Sequence, residues 1–266
     1  MKRYNIGNVN VKMSVKSKDL KERLGEYRFE TKEKDATLKV KYKKSLHLPK
    51  GELVAEHKEK RIMQEKDIFY LCVFAKDSDT LETVIRYDKL YKNVVIYLSK
   101  VLTPSMLLQK EYVYTGLMFQ KIASQKDKFI IHGSALSHHG CGLIFSGPSG
   151  IGKSTQGAMW KEYMEDVFIL NDDKPLISFE EKIFVYGTPW SGKTNTQKNM
   201  RAPLKAILFL DQGITESLEE VQTTEKIVLL LKNMFRSTEA EELDRLLDQL
   251  PRIIKEVKIF DFKATM

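Results

Sequence analysis

The chain has 266 residues, 42% of them apolar and 10% aromatic, which suits a packed globular protein of one large or two modest domains and excludes a disordered one. Its 44 lysines and arginines outnumber 36 acids for a net charge of +8, but the excess is mostly lysine spread over both halves, so nucleic acid is not an expected partner. No stretch approaches the ~20 uninterrupted apolar residues of a membrane helix, and the start Met1-Lys2-Arg3 leads into no apolar signal segment, so no membrane partner and a cytoplasmic location are expected.

Residues 1–103 read as β-rich. Residues 37–42 alternate apolar and polar with a period of two, and 68–74 and 94–98 are further strands. Turn residues at 49–51 and 76–79 suit an antiparallel meander. The densest basic patches, 41–44 and 57–61, read as solvated edges or turns. Cys72 sits inside an apolar run and reads as core, while Cys141 beside Gly140 and Gly142 reads as exposed; neither has a partner spacing for zinc or a disulfide.

From about Pro104 the period becomes helical. Leu107, Leu108, Tyr112, Tyr114, Leu117, Met118 and Ile122 recur at steps of three and four through residue 125, with Ser105 as the expected cap. A boundary near this helix separates 1–103 from 104–266. In the second part, 129–132, 135–137 and 142–146 read as closely spaced strands, with His138 and His139 at an exposed turn. A helix from 153 to 163 and a buried strand at 167–170 follow. Residues 175–179 and 182–186 form a predicted hairpin, 206–210 another strand, 219–234 and 240–255 two helices, and 257–260 a last strand. The stripe Ile227, Leu230, Leu231 and Met234 reads as core or subunit interface.

Chemistry concentrates at Gly147-Pro148-Ser149-Gly150-Ile151-Gly152-Lys153-Ser154-Thr155, which meets every constrained position of the phosphate-binding pattern G-x-x-x-x-G-K-[ST]. Its glycines let backbone N–H groups turn toward a phosphate, and the next helix aims its positive end there. Lys153 would reach the β- and γ-phosphates of ATP, and the Ser154 hydroxyl would sit on Mg²⁺. Asn171-Asp172-Asp173 follows a buried strand about twenty residues beyond Lys153, where carboxylates hold metal or take a proton from an incoming hydroxyl. His132-Gly133-Ser134-Ala135 lies one hairpin before the glycine loop. Two further features are weighed between roles. In residues 188–193, Trp190 and Lys193 serve either a loop that closes on the substrate or a rigid turn with Trp190 packed inward. Arg201 is either a phosphate clamp or a surface residue.

Together, His132-Gly133-Ser134-Ala135, residues 147–155 and Asn171-Asp172-Asp173 resemble the HPr kinase/phosphorylase family and the phosphoenolpyruvate carboxykinases that share its fold. The match covers residues 129–211. The resemblance implies an α/β (α+β) protein with a carboxykinase-like mixed β-sheet P-loop core behind the β-rich N-terminal region. It implies Asp172 as general base, Asp173 with Ser154 as metal ligands, and His132 orienting the base or joining the metal site. The family's second signature, an acidic residue followed by Arg-Gly, is missing from residues 186–193, which points away from phosphorolysis and from HPr as acceptor. The chain looks closest to HPr-kinase-like enzymes of peptide natural-product clusters, such as lasso peptide kinases. The expected activity is therefore ATP- and Mg²⁺-dependent phosphorylation of a serine hydroxyl on a peptide or protein. A small-molecule hydroxyl kinase and a non-catalytic nucleotide-dependent regulatory protein remain as alternatives, and self-association, by the precedent of HPr kinase hexamers, stays open.

Overall fold

A computed structural model describes residues 1–192, 195–234 and 240–265. The chain divides into two compact units, Met1–Ile122 and Ala123–Met266. No helix among the described residues is long and apolar enough to cross a membrane.

The first unit is built on one sheet. Its strands are β1 (Lys2–Ile6), β2 (Val9–Ser14), β3 (Ala36–Lys43), β4 (Glu52–His57), β5 (Lys60–Glu65), β6 (Ile68–Phe74), β7 (Leu81–Asp88) and β8 (Asn93–Ser99), with the short helix α1 (Lys18–Arg23) after β2. They lie in the order β1-β2-β3-β8-β7-β6-β5-β4. The expected antiparallel meander is present from β4 to β8, but β2–β3 and β3–β8 pair in parallel. Gly7 and Asn8, at φ 58° and 61°, close the β1–β2 hairpin in the left-handed conformation that a Gly-Asn pair adopts readily. Alternation puts Val11, Met13, Leu38, Val40, Ile85 and Ile96 on one buried face. On the other face Met63, the buried Cys72, Leu81 and Val84 form a smaller cluster against Leu46 and Tyr97.

Helix α2 (Pro104–Ser124) belongs to this unit up to Ile122, so the boundary falls at the helix's far end rather than at 103/104. The reason is Glu111. Its buried carboxylate accepts the N–H groups of Lys16 (2.5 Å) and Ser17 (3.0 Å) and the Tyr42 hydroxyl, which ties α2 to the sheet. The cap is Thr103, whose hydroxyl accepts the Met106 N–H at 3.3 Å, not Ser105. Pro104 then takes the first helical position, where a missing N–H costs nothing.

The second unit contains β9 (Lys128–Ile130), β10 (Gly133–His138), β11 (Cys141–Ser146), α3 (Lys153–Tyr163), β12 (Val167–Asn171), β13 (Leu176–Phe179), β14 (Ile183–Tyr186), β15 (Arg201–Gln212), β16 (Ser217–Glu220), α4 (Thr223–Asn233), α5 (Ala240–Glu256) and β17 (Lys258–Ala264). The sheet path is β12-β10-β11-β15-β14-β13-β9, with β17 beside β15 and β16 beside β17. β11 has a parallel neighbour in β15 and an antiparallel one in β10, so the sheet is mixed, as expected, and the chain is of mixed α/β class. Phe129, Ile131, Ile144, Leu170, Ile177, Val185 and Ile207 pack in its core with Leu230 of α4 and Leu246, Leu250 and Ile253 of α5. Residues 219 and 220, predicted as the start of a helix, belong to β16 instead, because residues 217–220 pair antiparallel with β17.

Candidate functional site

The glycine loop occupies the turn from β11 into α3, the strand–loop–helix context the motif needs. Gly147, Gly150 and Gly152 take φ of 141°, 84° and 103°, a region closed to most residues with a Cβ. Gly152 is the N-cap of α3 and no side chain caps the helix. The first-turn N–H groups therefore have no intrahelical partner and point outward with the helix dipole behind them. Those are the donors a phosphate would take. Lys153 turns back over the loop. Its ammonium, buried with the residue at 7% exposure, donates to the carbonyls of Gly147 (3.0 Å) and Pro148 (2.7 Å). Burial lowers the Lys153 pKa, against the opposing pull of the Asp173 charge.

Three segments converge beside this loop. His132 follows β9, and its backbone is fixed from two sides: its N–H donates to the Asn233 carbonyl at the end of α4 (2.9 Å), and its carbonyl accepts the Ser146 hydroxyl (2.9 Å). The imidazole Nδ1 lies 3.1 Å from Asp173 Oδ1. Burial pushes the Asp173 pKa up, but the His132 hydrogen bond and the charges of Lys174, His132 and Lys153 outweigh it, so the carboxyl sits below its ordinary value. The Gly133 N–H donates to the Asp173 carbonyl at 3.0 Å, closing the two segments together.

Asp172 is 5% exposed and faces the next loop, where its Oδ1 accepts the Gly192 N–H at 2.5 Å. A Cβ at position 192 would stand 3.0 Å from Asp172 Oδ2, close enough that the carboxylate would have to give by a few tenths of an ångström. Ser154 Oγ donates to the Asp172 carbonyl at 3.4 Å, linking the first turn of α3 to the acidic pair. Asn171 joins the parts. Fully buried, it accepts the N–H groups of Asp173 (2.9 Å) and Lys174 (2.6 Å), and it donates to the carbonyls of Thr188 (2.8 Å) and Trp190 (3.4 Å). One side chain thus shapes the acidic turn and straps residues 188–190 onto it.

The structure therefore groups His132, Gly147, Ser149, Gly150, Ile151, Gly152, Lys153, Ser154, Asp172 and Asp173, with Thr155 in the first turn of α3. Within the group His132 pairs with Asp173, not with Asp172. Arg201 is placed otherwise. It begins β15, where its guanidinium donates to Tyr186 (2.8 Å) and Glu180 (3.0 Å) and stacks over Phe184. That engagement, in a polar cluster with Lys128 and Ser178, leaves its side chain 49% exposed, the surface alternative rather than the phosphate clamp. Trp190 is packed inward at 1% exposure, the rigid-turn alternative, and Lys193 lies outside the described residues. His139 does lie in an exposed turn, at φ 46° and 3.4 Å from Asp166, whereas His138 ends β10, half-buried and edge-on to Trp160. The strapping role of Asn171 is not read from the sequence; an asparagine directly after a buried strand and ahead of two acids is the available signal.

No family model matches the sequence, and no curated protein matches it. Among solved structures the chain is similar to the Hpr(Ser) kinase/phosphatase of Coxiella burnetii, at 12% identity and a TM-score of 0.26, over 47% of this chain and 90% of that one. A likeness at that level carries neither fold family nor activity across. What stands is a mixed-sheet α/β unit whose phosphate-loop sequence lies at a strand-to-helix turn, beside a histidine–aspartate pair and a second, strapped aspartate.

Proposed function

We propose that the chain is an ATP- and Mg²⁺-dependent kinase that transfers the γ-phosphate to a serine hydroxyl of a peptide or protein. The observation that carries this is the convergence of an uncapped α3 N-terminus, Lys153 and two aspartates with different partners. A protein that only bound nucleotide would need the loop but not the second aspartate.

The donor set fits the groups implied. Among the described residues no cluster of three or more His, Cys, Asp or Glu forms a complete metal cage. Mg²⁺ keeps several waters and commonly takes one or two protein oxygens with phosphate oxygens, which Ser154 and Asp173 would supply. When bound, the ion offsets charge on the phosphate oxygens. Loop N–H groups and Lys153 would hold the phosphates, the ammonium leaving its two loop carbonyls to do so. His132 holds Asp173 ionised and oriented. Asp172, fixed by the Gly192 N–H, would accept the proton from the acceptor hydroxyl.

Two variants test the assignment in one assay of label transfer from γ-labelled ATP to serine peptides. Asp172→Asn should lower turnover by about 10² or more with ATP affinity within about threefold of wild type. Lys153→Ala should weaken ATP binding and remove transfer. Turnover of Asp172→Asn within a few-fold of wild type would eliminate the base, and ATP bound with no transfer by wild type would leave a binding protein.

A further inference from the structure

The sheet of the first unit buries one face and leaves part of the other open. Register sets Lys12 opposite Arg3 and Thr37, and Lys39 opposite Val95, which stands opposite Arg86. Since side chains alternate along a strand, these residues project away from Val11, Leu38, Ile96 and Ile85, which fill the buried face. Lys39 and Arg86 are two strands apart, about 10 Å by strand spacing. They rim a shallow depression of about 380 Å³ whose floor includes Thr37, Ile68 and Val95.

The charge balance there is one-sided. Asp88 is the acid in the depression, and its carboxylate is already taken by the N–H groups of Lys92 (2.9 Å) and Asn93 (2.7 Å) and by the Asn93 side chain (3.2 Å), which close the turn into β8. Three other cations of this unit do find carboxylates, in Arg23–Asp19, Arg61–Glu56 and Lys110–Glu82. Among the described residues Lys39 and Arg86 make no ion pair. Two cations held by a rigid sheet over a partly apolar floor present a site for carboxylates, where desolvation strengthens the attraction.

We propose that this face docks an acidic, extended segment of the acceptor polypeptide, with carboxylates pairing to Lys39 and Arg86. In an extended segment, side chains at i and i+2 point the same way about 7 Å apart, a spacing the two flexible cationic side chains can meet. A nucleic acid backbone, which draws on about 6–10 contacts spread along it, is the competing occupant that the experiment tests against. The inference rests on the acceptor being a polypeptide, as in the reading above, and deepens that reading by naming what the acceptor must carry.

The experiment is fluorescence anisotropy on the full chain with a fluorescein-labelled peptide alternating Glu and Ser, its Gln-for-Glu counterpart, and a short single-stranded DNA. The acidic peptide should bind, the Gln peptide should not, and Lys39→Glu/Arg86→Glu should weaken binding by about tenfold or more with ATP affinity unchanged. The milder Lys39→Ala/Arg86→Ala pair should give an intermediate loss with an unaltered thermal melt, which separates charge from folding. Equal acidic-peptide affinity for wild type and both variants overturns the docking surface. So does DNA bound more tightly than the acidic peptide and lost in the same variants. Label transfer measured alongside keeps the two readings apart. Peptide binding that depends on Lys39 and Arg86 without any transfer retains the surface and removes the kinase. Transfer that ignores both residues does the reverse.

Discussion

Gly192 makes a contact that no other residue could make without displacement. Its N–H meets Asp172 Oδ1, and an added methyl would stand 3.0 Å from Oδ2 and 3.3 Å from the carboxylate carbon. Gly192→Ala should therefore push the carboxylate by a few tenths of an ångström, without a left-handed backbone to strain. Catalysis is steep in such displacements, and roughly a 3- to 10-fold fall in kcat is expected with the ATP KM unchanged. Steady-state kinetics checks this, and an ATP KM that rises with kcat intact would point to a loop that serves nucleotide instead. At this scale the sequence was legible where chemistry is local. The spacing of Gly147, Gly152, Lys153 and Ser154 needs no distant partner to be read. Which of its two roles Arg201 takes was not legible, because its partners, Glu180 and Tyr186, come from a hairpin whose register alone sets them beside it.

Among elements, the β13–β14 hairpin carries a charge cluster with a pH signature. Burial raises the Glu180 pKa, but hydrogen bonds from Ser178, Tyr186 and Lys128 and the Lys128 charge overcome it and hold the carboxyl at about 2. A carboxylate depressed in the folded state contributes stability above its unfolded value of 4.5, and loses it as pH falls from 4.5 toward 2. Glu180→Gln should lose about 1–2 kcal/mol at neutral pH, allowing for solvent screening, and its stability should fall less than that of wild type over that window. Denaturant melts at pH 7 and pH 3 measure both, and parallel acid limbs would remove Glu180 from the account. Element readings failed for the same non-local reason. Residues 219 and 220 look helical beside the strong helix that follows, yet β17, some forty residues on, recruits them into a strand. Strand β4 is exposed at every position, so it carries no alternation to read.

For the whole molecule, each unit has its own sheet, and the candidate site draws all its described members from the second. Residues 123–266 expressed alone should bind ATP within about tenfold of the full chain, while 1–122 should show a cooperative β-rich melt and no ATP binding. Loss of ATP binding by 123–266, despite a folded circular dichroism spectrum, would mean the site needs the first unit. By itself the sequence determined a two-part α/β chain, most strand positions, and the loop with its lysine, serine and acidic pair. Those follow from short-range periodicity and from backbone demands that only particular residues satisfy. The tertiary structure alone decided that His132 serves Asp173, that Asn171 and Gly192 strap the second aspartate, and that Trp190 turns inward. It also fixed the cation-rimmed face of the first sheet, since the neighbours of Lys39 and Arg86 depend on a parallel β3–β8 pairing. These depend on which distant segments the packing brings within hydrogen-bond reach, and no local pattern along the chain encodes that.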